Sequence, residues 1–188
     1  MSAATNLLGL SGSLRRGAYS TAILITLREA LAPGIAITPF DLGTVPLYNA
    51  DLAGDALEPV RALKNAISAS EGIVIVTPEY NYGVPGVLKN ALDWASRPAY
   101  QSVLKDKLVG VISSSQSSIG GARAQAQLRQ TLFAVLARTL PWPEVAIGNV
   151  ADKVRDGRLV DETSLRFATD VVRALVREIT AARKTDVP

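Results

Sequence analysis

Residues 72–94, GIVIVTPEYNYGVPGVLKNALDW, read as three consecutive pieces of structure. GIVIVT is a six-residue run, apolar on both parities and rich in β-branched side chains. Such a run is a strand buried on both faces, as strands of a parallel sheet are. TPEYNYGVPG follows, with two prolines and two glycines that preset an unusual loop backbone. Val87, Leu88, Ala91, Leu92 and Ala95 then recur at helical spacing. Strand, loop and helix in this order make half of a parallel crossover unit.

The same grammar extends in both directions. Apolar runs of four to six residues recur at 6–10, 35–40, 108–113 and 144–147. Helical patterns separate them. One runs through Ile23, Leu27, Ala30 and Leu31 and stops at Pro33-Gly34. The next runs through Val60, Leu63 and Ile67, and another through Leu128, Leu132, Val135 and Leu136. The last runs through Ala168, Val171, Val172, Leu175, Val176 and Ile179, opened by Ser164. The order is βα repeated five times, which predicts right-handed crossovers and a five-stranded parallel sheet of order 2-1-3-4-5 flanked by helices. Repeats, low-complexity tracts and linker-like shifts are absent, so residues 1–188 read as one domain.

Composition narrows the chemistry. The chain has 188 residues, 48 % apolar and 20 % charged, with neither Cys nor His. Disulfides, zinc fingers, thiol nucleophiles, Ser-His-Asp triads and imidazole bases are excluded. No metal ligand set is predicted, and any chemistry falls to carboxylates, Lys, Tyr, Ser or a bound cofactor. The net charge is +3, and 14 of the 20 cations are arginines spread through the chain. Without a basic stripe, no nucleic-acid partner is expected. The N-terminus lacks a signal-peptide pattern and no apolar run approaches the ~20 residues of a membrane helix, so a cytoplasmic protein without a membrane partner is the expectation.

Ligands of open α/β sheets lie at the carboxyl ends of strands, near the point where strand order reverses. Three loops meet there. Residues 11–20, SGSLRRGAYS, combine Gly12 and Gly17 with the hydroxyls of Ser11, Ser13 and Ser20 and the guanidinium of Arg15 at a helix start. That suits a phosphate monoester or a plain turn. Ala18 stands where a P-loop needs Lys, and G-x-G-x-x-G is missing. Residues 77–86 place Tyr80 and Tyr82 around Asn81, suited to a planar ring, to a structural corner or to an oligomer contact. Residues 113–121, SSSQSSIGG, are small and polar; Arg123 follows in the first helical turn, against the helix dipole, which suits a carboxylate of another subunit, an anionic substrate or, more commonly, plain solvation.

Together GSLRRGAYS, PEYNYGVPGVLKNALDW and SSSQSSIGGARAQAQLRQ resemble the NADPH-dependent FMN reductases, a family that includes quinone, azo-dye and chromate reductases. The resemblance covers roughly residues 5–180, and the central motif is its most specific part. It implies a flavodoxin-like domain binding FMN non-covalently. Ser13, Arg15 and Ser20 would hold the phosphate, with Ser11 close by. Pro78, Glu79, Tyr80, Asn81 and Tyr82 would line the isoalloxazine ring, and Ser114, Ser115 and Gly120 would approach its other edge. NADPH or NADH would be the co-substrate, with a small-molecule acceptor such as free flavin, quinone, azo compound or chromate. A flavodoxin-type electron carrier and a non-catalytic nucleotide-binding module are the alternatives. Trp94, expected on the outward side of its helix, suits either a subunit contact in a homodimer or homotetramer or a cover for the local core edge.

Overall fold

A computed structural model describes residues 4–185. The elements are β1 (Thr5–Ser11), α1 (Tyr19–Leu31), β2 (Ile35–Phe40), α2 (Glu58–Ala69), β3 (Gly72–Pro78), α3 (Gly86–Ala95), β4 (Leu108–Ser114), α4 (Ala122–Ala134), β5 (Arg138–Thr139), β6 (Val145–Ile147), α5 (Val150–Lys153), β7 (Val154–Arg155), β8 (Arg158–Leu159) and α6 (Glu162–Thr185). The main sheet runs β2-β1-β3-β4-β5, with β6 also paired to β4, and every pairing in it is parallel.

Successive side chains point to opposite sides, and the inner strands β1, β3 and β4 are buried on both faces, whereas the edge strand β2 buries only Ile37 and leaves Ala36, Thr38 and Pro39 exposed. Leu7, Val74 and Ile112 join Ile23, Leu27 and Leu175 of α1 and α6 in one core. Leu8, Ile75 and Val109 join Leu63, Leu92 and Leu128 of α2, α3 and α4 in the other. The fold is a three-layer, flavodoxin-like α/β/α sandwich, as the apolar runs predict.

Three details differ from the sequence reading. The fifth strand is in two pieces: β5 pairs with Leu108 and Val109, and β6 with Ile112, Ser113 and Ser114. Pro141 and Pro143 lie between them and cannot donate to a ladder. The β7–β8 hairpin and short α5 enter before the last helix. Asp156 and Gly157 turn the hairpin with positive φ of 50° and 70°. It docks on α1, where Arg158 donates to both oxygens of Glu29 at 2.7 and 2.8 Å. Finally, α6 starts before Ser164: the Ser164 N–H donates to Asp161 Oδ1 at 2.8 Å, a cap of the first turn.

Trp94 corrects a further expectation. It is only 6 % exposed and its Nε1 donates to the Pro46 carbonyl at 2.8 Å. One turn earlier, Asn90 accepts from Tyr48 N–H at 2.7 Å and donates to the same carbonyl at 2.9 Å. The segment after β2 folds over α3 and covers the face that the helical pattern leaves outward. Trp94 is therefore an anchor within the chain and carries no argument for a second subunit.

Candidate active site

Register brings the three loops together. Ser11 ends β1 opposite Val76 of β3, and Pro78 ends β3 opposite Ser114 of β4. Gly12 holds the first loop tight against β3: its N–H donates to Val76 O at 2.9 Å, and a Cβ there would sit 2.6 Å from Thr77 Oγ1.

The first loop ends in a bare helix start. Ala18 precedes α1 with extended backbone; no side chain caps the helix, and its first turn holds no acidic residue. The first N–H groups of a helix have no intrahelical acceptor and carry the positive end of the dipole. Ser13, Arg15 and Ser20 surround them. Ser20 Oγ lies 3.0 Å from Ser11 Oγ, which also meets Thr21 Oγ1 at 2.8 Å. The Arg15 guanidinium stands 5.2 Å from the centre of the Tyr19 ring.

The second loop is tied to the first by a 2.9 Å hydrogen bond between Tyr80 and Ser13 hydroxyls. Tyr80 and Gly83 exchange backbone hydrogen bonds of 3.1 and 3.0 Å around Asn81 and Tyr82, whose φ values are 49° and 65°. The strained positions are thus on Asn81 and Tyr82, not on the glycine. Left-handed backbone at a tyrosine is costly and persists where its surroundings enforce it. Tyr82 is enforced in part by Arg123, whose guanidinium lies 4.2 Å from its ring centre.

Arg123 finds its carboxylate in the same chain. Glu79 Oε2 accepts the N–H groups of Arg123 and Ala124 at 3.0 and 3.1 Å, and Oε1 meets the Arg123 guanidinium at 3.3 Å. Glu79 therefore supplies the acid that the start of α4 lacks locally. Neither another subunit nor a substrate anion is required.

The third loop holds itself. Ser113 Oγ donates to Gly120 O at 2.7 Å and accepts from Gln125 at 3.0 Å; Ser115 and Ser117 hydroxyls meet at 3.1 Å. Ser114 is the exception, with a buried hydroxyl that has no partner among the described residues.

A cavity of about 230 Å³ joins these features. Of the expected site residues, Ser13, Arg15, Ser20, Pro78, Glu79, Tyr80, Ser114 and Ser115 line it. Ser11 lies behind Ser20, and Asn81 and Tyr82 stand outside on the exposed turn. Gly120 lies beneath the third loop, where a Cβ would be 2.5 Å from the Ala146 carbonyl carbon. Tyr19, Gln116 and Val150 line the cavity without having been singled out. Tyr19 and Gln116 sit inside the loops already marked. Val150 is delivered by the crossover from β6, and no local signal announces it.

A sequence model of NADPH-dependent FMN reductases matches residues 5–152. The chain belongs to this family. The reductase is 38 % identical over 177 residues to an NAD(P)H-dependent FMN reductase of Pseudomonas aeruginosa, covering 93 % of this chain and 95 % of the other. It is 38 % identical over 179 residues to a quinone reductase of Escherichia coli, with the same two coverages. The structure matches FerB, a flavoenzyme NAD(P)H:(acceptor) oxidoreductase from Paracoccus denitrificans, with a TM-score of 0.84 and 34 % identity over 94 % of this chain and 98 % of that one. The reductase is accordingly an oxidoreductase with FMN as cofactor and NAD(P)H as co-substrate. The cavity fits FMN on its own terms: unclaimed N–H donors and a guanidinium at one end suit a phosphate, and the orphaned Ser114 hydroxyl at the other suits a polar ring edge.

Proposed function

We propose that the cavity at the carboxyl ends of β1, β3 and β4 holds FMN and passes electrons from NAD(P)H to a quinone or a free flavin. Azo compounds and chromate belong to the same acceptor panel. The observation that carries the reading is the acid-free, uncapped start of α1 facing one cavity with an unpartnered buried hydroxyl. Ser13, Arg15, Ser20 and the first N–H groups of α1 bind the phosphate. Pro78, Glu79 and Tyr80 run along the ring, with Asn81 and Tyr82 at its rim. Ser114 and Ser115 face the opposite edge, and Gly120 lets the loop beneath them close. Ser11 orients Ser20.

Bound FMN supplies the redox chemistry. The chain's part is to fix the ring and leave one face open. Tyr80 does so by tying the two loops through Ser13, and Glu79 by fixing the third loop's exit through α4. Nicotinamide and acceptor then use one opening in turn, so parallel double-reciprocal plots are expected. Intersecting plots with dead-end inhibition through a ternary complex would rule out this single-opening scheme.

The reading treats residues 1–188 as one domain, supported by two cores built on the faces of one sheet. No helix among the described residues is long and apolar enough to cross a membrane. Use of NAD(P)H supports a cytoplasmic place of work. A homodimer, itself able to pair into a tetramer, is supported by α4. Ala126, Gln127, Gln130 and Phe133 form an exposed uncharged stripe, with Phe133 81 % exposed. Light scattering of Phe133→Glu against the wild type tests this; a wild-type monomer would refute it.

A further inference from the structure

The first loop has a second side. Beside the FMN cavity lies another hollow of about 430 Å³, bounded by α1, the end of β2 and the turn after it. Its apolar floor includes Leu24, Ile25 and Phe40. Its rim carries three guanidinium groups, from Arg15, Arg16 and Arg28, against one carboxylate, Asp41. Asp41 is already engaged: its Oδ1 accepts the Gly43 N–H at 2.9 Å. Arg28 has Glu29 beside it, but Glu29 is held by both prongs of Arg158. Among the described residues neither Arg16 nor Arg28 has a hydrogen bond or ion pair of its own.

Single exposed arginines need no ligand. These converge on one elongated hollow beside a nucleotide site, and the hollow follows α1 from Thr21 to Arg28, a length of about 10 Å. In dinucleotide-binding α/β sheets, the end of the second strand is where the adenosine ribose is read: a carboxylate receives its 2′-hydroxyl, and an arginine accommodates a 2′-phosphate. Here the carboxylate at that place is turned onto its own backbone, and the remaining charge is cationic.

We propose that this hollow binds the adenosine 2′-phosphate of NADPH, and that Arg16 and Arg28 set a preference for NADPH over NADH. The proposal rests on the assignment of the neighbouring cavity to FMN. The two hollows share Ser13 and Arg15 as a wall, so a dinucleotide seated here crosses the loop toward the cavity. Free FMN arriving as acceptor also presents a phosphomonoester, and the test separates the two.

The FMN-loaded protein is titrated calorimetrically with adenosine 2′,5′-bisphosphate, with AMP and with free FMN. The bisphosphate should bind about tenfold or more tighter than AMP, the scale of one charge-assisted hydrogen bond. Combining Arg16→Ala with Arg28→Ala should abolish that difference and lower kcat/KM for NADPH through KM by about the same factor. Flavin content and NADH kinetics should stay at wild-type values. Equal binding of bisphosphate and AMP by the wild type would overturn the proposal. So would a preference that survives in the double variant, displacement of bound flavin by the bisphosphate, or a loss confined to free FMN. Protein that retains no flavin, or is reduced by neither nicotinamide, would fail the FMN reading instead, and the adenosine titrations would still decide this hollow.

Discussion

Two serine- and glycine-rich loops leave the same end of the sheet and use their polar groups in opposite ways. In the loop after β4, Ser113 and Gly120, Ser115 and Ser117, and the Asn149 N–H and Ser117 O are joined to one another. The loop after β1 has a hydroxyl cluster at its base, around Ser11, and ties the Ser13 hydroxyl to Tyr80. Above that base it presents the open start of α1, and the Arg15 guanidinium has no hydrogen bond or ion pair among the described residues. Composition makes these loops look alike. Accounting for donors and acceptors separates a loop that holds itself from one whose donors stay open, with the buried Ser114 hydroxyl left without a partner where the former begins.

That contrast can be broken most forcefully by adding one methyl group. Gly120→Ala puts a Cβ at positive φ against the Ala146 carbonyl, and should cost about 3 kcal/mol in urea denaturation. Gly17→Ala also sits at positive φ but meets nothing within 4 Å, and should cost about 1 kcal/mol. Equal costs would mean that the β4 loop is no more self-held than the β1 loop. Arg15→Ala should reverse the pattern, weakening FMN binding by about 1.5–3 kcal/mol with folding stability of the flavin-free protein changed by less than about 0.5 kcal/mol. Ser114→Ala is the finer test. Removing an unpartnered buried hydroxyl should leave the flavin-free protein as stable or up to about 1 kcal/mol more so, while FMN affinity falls by about 0.5–1.5 kcal/mol.

The smallest effect lies away from both loops. The hydrogen bond from Arg158 holds the Glu29 carboxyl below its ordinary range. A carboxyl lowered in the folded state adds stability above its unfolded pKa, and that contribution is lost as pH falls through the folded value. Glu29→Gln should therefore flatten the acid side of the stability profile slightly without altering FMN affinity. A change in affinity would show that the hairpin and the site are coupled.

The layers and strand order were legible because strands buried on both faces show as unbroken apolar runs and helices as stripes. The interruption of the fifth strand was less so, since its continuity depends on pairing with β4 on both sides of Pro141–Pro143. Trp94 was ambiguous for a related reason. Helical periodicity says which face meets the sheet, but the segment that covers the other face arrives from residues 46–48. The acid for Arg123 stands 44 residues away at Glu79, and Val150 reaches the cavity only through the crossover from β6. Local sequence placed the loops; long-range contacts decided which of their side chains stayed free.

The proposed function depends most on the unclaimed donors of the β1 loop serving a phosphate. Comparing flavin-free protein binding to FMN and to riboflavin, which differ only in that group, tests it directly. FMN should bind about a hundredfold or more tighter, as two or more charge-assisted hydrogen bonds require, and Arg15→Ala should remove much of the difference. Equal affinity for FMN and riboflavin would contradict it.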